Sequence, residues 1–107
     1  MGWKLFLDDE REPVAPWWYN GECKVARTFD EAEALVMEFG IPELISFDHD
    51  LGDQVKTGHY FALWLITKEM DGELRFPDNF AYSIHSMNPV GARNIDSLLN
   101  NYFEKGR

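Results

Sequence analysis

Short apolar runs alternate along this chain with longer stretches in which apolar residues recur every three or four positions. The short runs predict four strands, at about residues 3–7, 23–27, 45–47 and 80–84. The longer stretches predict three helices: one from Thr28 to the stop at Gly40 and Pro42, one over residues 58–70, and one beginning at Asn88 or Pro89. Strands that alternate with helices predict an α/β fold with a parallel sheet, and we expect the strand order 2-1-3-4.

The segment between the first two predicted strands carries Pro13, Pro16 and an Asn20-Gly21 pair, so a loop is predicted there rather than a helix. Three aromatic residues lie within it: Trp17, Trp18 and Tyr19. We expect them to cover the sheet face that the missing helix leaves open. A platform for stacking nucleic-acid bases is the alternative.

Length and composition narrow the class of protein. A chain of 107 residues predicts one domain over residues 1–107. It has no long apolar stretch and no basic-then-apolar start, so neither membrane spanning nor secretion is expected. The one cysteine, Cys23, has no partner for an internal disulfide and fits a reducing cytoplasm.

The formal net charge of -9 limits the possible partners. A strongly acidic surface repels a phosphate backbone, so binding to long nucleic acid is not expected. Binding of a small phosphorylated ligand or of a nucleic-acid terminus is still compatible with this net charge, where a metal ion reverses the local charge. The sequence does not indicate the oligomeric state.

Acidic residues and histidines gather where three of the predicted strands end. Residues 8–11 (Asp-Asp-Glu-Arg), 48–50 (Asp-His-Asp) and 85–88 (His-Ser-Met-Asn) follow the first, third and fourth strands. Parallel strands end at the same edge of a sheet, where open α/β folds build their ligand sites. Hard oxygen ligands at that edge suit Mg²⁺, and the predicted ligands are Asp8, Asp9 and Asp48. In the alternative, Asp8 or Asp9 is a solvated residue paired with Arg11.

Two of the three histidines lie in these clusters. An imidazole beside carboxylates can pass a proton in either direction near neutral pH, so His49 and His85 are predicted to act with Asp48 in catalysis. A loop histidine bonded to a backbone carbonyl is the alternative for His49. His59 opens the second helix without such neighbours and is assigned to structure or surface.

The start of the third helix is a predicted phosphate site. Asn88 can cap the helix and Pro89 fits its first turn, which would leave the amides of residues 90–92 free for phosphate oxygens. Gly91 would let a ligand approach the backbone, Ser86 would donate a hydrogen bond, and two arginines would add charge. The predicted phosphate-binding residues are Ser86, Asn88, Gly91, Arg11 and Arg93. A plain cap with Ser86 bonded locally is the alternative.

These motifs resemble the receiver domains of two-component systems over nearly the whole chain. In that family an acidic pair follows the first strand, matched by Asp8 and Asp9, and a phosphate-accepting aspartate follows the third, matched by Asp48. A small hydroxyl residue follows the fourth strand, matched by Ser86, and Mg²⁺ is bound. A fifth strand with its lysine is not found, and the loop with Trp17 and Trp18 replaces the first helix.

The combination of residues 7–11, 47–52 and 85–89 looks more like a divergent receiver family, proposed to process cyclic phosphates in bacteria and phages. The resemblance implies a truncated receiver-like (flavodoxin-like) three-layer fold. It favours a metal-dependent phosphoesterase acting on a small or terminal cyclic phosphate. Two alternatives remain open: a receiver-like module phosphorylated on Asp48, and an interaction protein that keeps the fold without the chemistry.

Overall fold

The computed structural model describes residues 2–13 and 22–105. Every predicted strand and helix is present, and the predicted ends lie within one residue of the observed ones. The elements are β1 (Lys4–Leu7), β2 (Cys23–Ala26), α1 (Phe29–Phe39), β3 (Leu44–Phe47), α2 (Gly58–Met70), β4 (Ala81–Ile84) and α3 (Pro89–Glu104). Within the described ranges, no helix combines the length and apolar character needed to cross a membrane.

The four strands form one parallel sheet in the order β2-β1-β3-β4, as the sequence predicts. The register aligns their carboxyl ends. Leu7 lies opposite both Ala26 and Phe47, and Phe47 lies opposite Ile84. The residue that follows each strand therefore emerges at the same edge, and this confirms the α/β, receiver-like arrangement.

All three helices contribute to one core on one face of the sheet. Because side chains alternate along a strand, Leu5, Leu7, Ile45 and Phe47 share that face. They pack in a single cluster with buried residues of every helix: Phe29, Ala32, Val36, Phe61, Ala62, Leu65, Ile66, Ile95 and Leu99. Burial of this apolar surface is the main term that stabilises the fold.

The opposite face of the sheet carries Phe6 and Ser46, which lie side by side in adjacent strands. Both are buried. The prediction that Trp17, Trp18 and Tyr19 cover this face concerns residues outside the described ranges. The described residues therefore account for the sheet and for one of the two layers that a three-layer fold places around it.

Helix α2 begins in direct contact with the end of β3. The Gly58 amide donates to the carbonyl oxygen of His49 at 2.8 Å. A Cβ atom placed on Gly58 would lie 2.0 Å from the carbonyl oxygen of Asp48. Only glycine fits this contact, which fixes the backbone of the residues that follow β3.

We expect Gly58→Ala to lower the free energy of unfolding by about 1–3 kcal/mol, because the added methyl group must push the helix away from the Asp48 carbonyl. Urea denaturation measures the effect. Ser97→Ala is the control, since Ser97 is exposed on α3 and its loss should change the stability by less than about 0.5 kcal/mol. A Gly58→Ala protein as stable as the parent would contradict the close contact.

Candidate functional site

Three side chains meet where β1, β3 and β4 end. The ladder of backbone hydrogen bonds runs one residue past the strands: the Asp8 amide donates to Ala26, that of Asp48 to Leu7, and that of His85 to Phe47, at 2.9–3.1 Å. This fixes the three residues in neighbouring positions along the edge. One ligand atom from each of Asp8, Asp48 and His85 lies within 4.8 Å of the others. Three of the four residues predicted to cluster at this edge, Asp8, Asp48 and His85, therefore meet, whereas the fourth, Asp9, lies outside their group.

Asp8 is fully buried, and both of its oxygens are hydrogen-bonded. Oδ1 accepts from the backbone amides of Glu10 and Arg11, each at 2.8 Å. Oδ2 lies 3.1 Å from Arg11 Nε and 2.9 Å from His85 Nε2. Burial alone raises the pKa of Asp8, but the two amides, His85 and the Arg11 charge together bring it below the usual value. Asp8 is therefore an ionised acceptor at neutral pH.

His85 is held on both ring nitrogens. Since ionised Asp8 can only accept, we assign a hydrogen to His85 Nε2. On the other side, Nδ1 lies 2.6 Å from the hydroxyl oxygen of Ser46. The ring also stacks on Phe6, with the two centroids 4.6 Å apart. These contacts set the orientation of the imidazole and leave neither nitrogen free for a substrate in this arrangement.

Ser46 is a site residue that the sequence reasoning missed. It lies on β3, buried, between the apolar residues Ile45 and Phe47. The available signal was a hydroxyl in an apolar strand, on the face opposite the core. Its partner could not be identified before the strand register placed it beside β4 and His85.

Asp48 is the least stabilised charge at this edge. Burial, and then the charge of Asp8, raise the pKa of Asp48, while a hydrogen bond to Ser86 and the charges of His85 and Arg11 act in the opposite direction. Arg11 Nη2 is 3.8 Å from Asp48 Oδ2, a longer distance than the 3.1 Å between Arg11 Nε and Asp8 Oδ2. The carboxylate of Asp48 is therefore less well compensated by positive charge than that of Asp8.

The guanidinium group of Arg11 supplies positive charge to the carboxylates of Asp8 and Asp48. Arg11 contacts both carboxylates through Nε and Nη2, and its Nη1 donates to the carbonyl oxygen of His85 at 3.3 Å. The side chain is 45% exposed, so it can leave without unfolding the edge. In the alternative to metal binding, Asp8 pairs with Arg11. Pairing with Arg11 and binding of a metal ion compete for the same oxygen of Asp8.

A second group forms around His49, on the loop after β3. His49 Nδ1 lies 3.0 Å from Asp50 Oδ1, and Asn88 Nδ2 lies 3.4 Å from the same nitrogen. The hydrogen bond with His49 is the main cause that lowers the pKa of the exposed Asp50. Among the described residues, His49 Nε2 has no hydrogen-bond partner. His49 is therefore oriented by a carboxylate with one ring nitrogen available.

The start of α3 differs from the predicted phosphate site. The Gly91 amide donates to Asn88 Oδ1 at 2.9 Å, and the Ala92 amide donates to the Asn88 carbonyl at 2.9 Å. The expectation that the amides of residues 90–92 are all free is wrong for these two, because Asn88 caps them. A Cβ on Gly91 would lie 2.3 Å from Cγ of His49, so the glycine makes room for this ring.

The remaining predicted residues lie around these groups. Ser86 contacts Asp48 and also accepts from the Asn88 amide at 3.0 Å. Asp9 lies outside the group of ligand atoms formed by Asp8, Asp48 and His85, and is half-buried near Gly52. Arg93 is exposed on α3, and no contact with these groups occurs in the described part of the chain. Metal binding by Asp9 and phosphate binding by Arg93 stay predictions.

We expect Asp48→Asn to raise the thermal midpoint at pH 7 in chelator by a few degrees, the scale of about 1 kcal/mol in a domain of this size. The folded-state pKa of Asp48 is raised above 3.8, so its ionisation disfavours folding, and stability falls as pH rises through that folded-state value. The advantage of Asp48→Asn should disappear below about pH 3.8, where the carboxyl is neutral in both states.

Asp50→Asn is the control for this measurement. The pKa of Asp50 is lowered, so the substitution should leave the midpoint at pH 7 unchanged or reduce it. The raised pKa of Asp48 is contradicted if Asp48→Asn lowers the thermal midpoint at pH 7. It is also contradicted if the higher midpoint of Asp48→Asn persists at pH 3.

Comparison with known proteins agrees with this fold. The fold is shared with a solved structure of a fusion protein that carries a trimeric coiled-coil segment of yeast Spc42, with a TM-score of 0.55 and 19% identity. That match covers 90% of this chain, and the chain spans 62% of the length of that structure. No curated protein matches the chain. The family model described as the cyclic-phosphate processing receiver domain matches residues 3–101. On this match, which confirms the resemblance seen in the motifs, the chain belongs to the family of cyclic-phosphate processing receiver domains.

Proposed function

We propose that this protein is a metal-dependent phosphoesterase that acts on a small or terminal cyclic phosphate at the carboxyl edge of the sheet. The observation that carries the proposal is the row formed by Asp8, Asp48 and His85, two buried carboxylates and an imidazole with ligand atoms within 4.8 Å. Membership of a cyclic-phosphate processing family supports the choice of substrate class.

The residues of the row fit a divalent cation. The pKa of Asp48 is raised by burial and by the charge of Asp8, and a cation bound between the two carboxylates would relieve both effects. Asp8 and Asp48 would hold the ion, and Mg²⁺ is the ion that the sequence predicts. When bound, it would supply positive charge to the phosphate oxygens during attack by water.

Proton transfer is assigned first to His49. Asp50 holds its Nδ1 at 3.0 Å, which favours the tautomer with an accepting Nε2. In the proposed reaction Nε2 takes a proton from the attacking water. His85, the other predicted acid or base, would donate from Nε2 to the leaving oxygen after its bond to Asp8 is released.

Phosphate binding is assigned to groups that surround the carboxylates. The Ser86 hydroxyl contacts Asp48, and Arg11 is exposed enough to turn from the carboxylates toward a phosphate once a cation takes its place. An arginine offers two parallel donors to phosphate oxygens, which fixes the orientation of the substrate. The acidic surface then favours a small ligand or a chain terminus over long nucleic acid.

The alternative is a non-enzymatic receiver-like module that accepts a phosphoryl group on Asp48 or serves as an interaction domain. The contact between Ser86 and Asp48 favours this alternative, because a hydroxyl at that point can hold the oxygens of a phosphorylated aspartate. The two histidines favour the phosphoesterase, because a phosphoacceptor site has no need of a proton donor and acceptor.

Hydrolysis of a 2′,3′-cyclic nucleotide by the purified protein separates these functions. We expect His49→Ala and His85→Ala each to lower kcat by about a hundredfold, the usual scale of general acid-base catalysis. His59→Ala is the matched control and should keep the activity of the parent, since His59 lies on α2 outside both groups.

The same preparations are treated with acetyl phosphate and analysed by mass spectrometry. The phosphoesterase predicts turnover of the cyclic substrate without stable labelling of Asp48. Stable labelling that survives in both histidine variants, with no turnover, would overturn the enzyme in favour of the receiver. Absence of both signals would instead favour the interaction domain.

A further inference from the structure

The imidazole of His85 lies with the buried carboxylates of Asp8 and Asp48, and a nitrogen ligand changes which ions the site prefers. We propose that His85 Nε2 is a direct metal ligand together with Asp8 and Asp48, so that the site binds a first-row transition-metal ion such as Zn²⁺ or Co²⁺ more tightly than Mg²⁺. The inference rests on the proposed function and names the class of ion that the same site takes. It gives His85 a ligand role in place of proton donation, so the leaving oxygen would instead receive the proton that His49 has taken from the attacking water.

Ligand chemistry favours this class of ion. Mg²⁺ is held in proteins by carboxylate, carbonyl and water oxygens, whereas imidazole nitrogen suits zinc, cobalt, nickel and iron. The acidic residue predicted to complete an all-oxygen set, Asp9, lies outside the group of ligand atoms. Asp8, Asp48 and His85 together make a mixed set of two oxygens and one nitrogen.

The spacing of two of the three ligand atoms agrees with coordination to one ion. Asp8 Oδ2 and His85 Nε2 are 2.9 Å apart. Two ligands at right angles around an ion, with bonds of about 2.1 Å, are separated by ~3.0 Å. Because backbone hydrogen bonds hold all three residues at the strand ends, little rearrangement of the main chain is needed.

Ser46 supports His85 in the way that metal-bound histidines require. A histidine that ligates a metal almost always donates its other ring N–H to a nearby acceptor. With Nε2 on the ion, Nδ1 carries the hydrogen and donates to the Ser46 hydroxyl oxygen, which already lies 2.6 Å away and is buried. Phe6, stacked on the ring, keeps the imidazole in this orientation.

Arg11 occupies the place of the cation when the ion is absent. Its guanidinium contacts Asp8 Oδ2 at 3.1 Å and Asp48 Oδ2 at 3.8 Å, the two carboxylates that the ion would bind. Binding of the ion therefore displaces Arg11. Removing this side chain should strengthen the binding of any divalent cation, whatever its ligand preference.

The experiment is isothermal titration of the full chain with Co²⁺ and with Mg²⁺, supported by the visible absorption spectrum of the bound Co²⁺. For the parent protein we expect Co²⁺ to bind at least about tenfold more tightly than Mg²⁺. His85→Ala should remove this preference and leave the Mg²⁺ affinity close to that of the parent. Ser46→Ala should weaken Co²⁺ binding by about tenfold or more, with Mg²⁺ binding unchanged.

Two further variants serve as controls. Arg11→Gln should strengthen the binding of both ions, because it removes a competitor and no ligand. His59→Ala should change nothing, which excludes a surface histidine as the source of the Co²⁺ signal. If His85→Ala fails to fold, as judged by circular dichroism, the Ser46→Ala comparison still tests the role of the imidazole.

The outcomes separate this inference from the proposed function. Equal affinities of the parent for the two ions, unaffected by His85→Ala, would overturn His85 as a ligand and leave the divalent-cation site standing. No binding of either ion to the parent or to Arg11→Gln would overturn the inference and the metal dependence of the proposed phosphoesterase together. Hydrolysis of a 2′,3′-cyclic nucleotide to its 2′- or 3′-monophosphate, measured in chelator, would then decide whether the esterase activity stands without a metal.

Discussion

The carboxylates of Asp8 and Asp48 lie side by side at the ends of two adjacent strands, both buried, and their mutual repulsion is the constraint on which the rest of this edge depends. Two backbone amides and Arg11 stabilise the charge of Asp8. Asp48 receives less compensation, so burial and the charge of Asp8 raise its pKa. Ionisation of Asp48 therefore disfavours folding unless a further cation binds there, so the arrangement is best understood through what it binds.

The fold holds these charges in place from two sides. On the core side, Gly58 brings the start of α2 against the Asp48 carbonyl, so that the loop after β3 cannot shift. At α3, Gly91 lets the ring of His49 pack against the first turn of the helix, while Asn88 caps that turn and contacts His49. The two glycines thus position one buried carboxylate of the candidate site and one candidate proton acceptor.

Most of the fold could be predicted from the sequence because each element carries its own local signal. Thr28, Thr57 and Asn88 accept from the first turns of the three helices, and short apolar runs mark the strands. The meeting of Asp8, Asp48 and His85 followed from one rule, that parallel strands end at a common edge.

What the sequence could not show depends on distances between segments far apart in the chain. Which of Asp8 and Asp9 turns into the edge is decided by the Asp8 bonds to the amides of residues 10 and 11. Ser46 reaches His85 only through the register of β3 with β4. The role of Gly91 depends on where the ring of His49 lies, which no local pattern reveals.

The most direct test of the account is a crystal structure of the protein grown with Co²⁺ and measured at the cobalt absorption edge. The account predicts one anomalous peak at about 2.1 Å from Asp8, Asp48 and His85 Nε2, with the Arg11 guanidinium turned away from both carboxylates. A map without a peak at this position, in which Arg11 still bridges Asp8 and Asp48 and His85 remains bonded to Asp8, would contradict it.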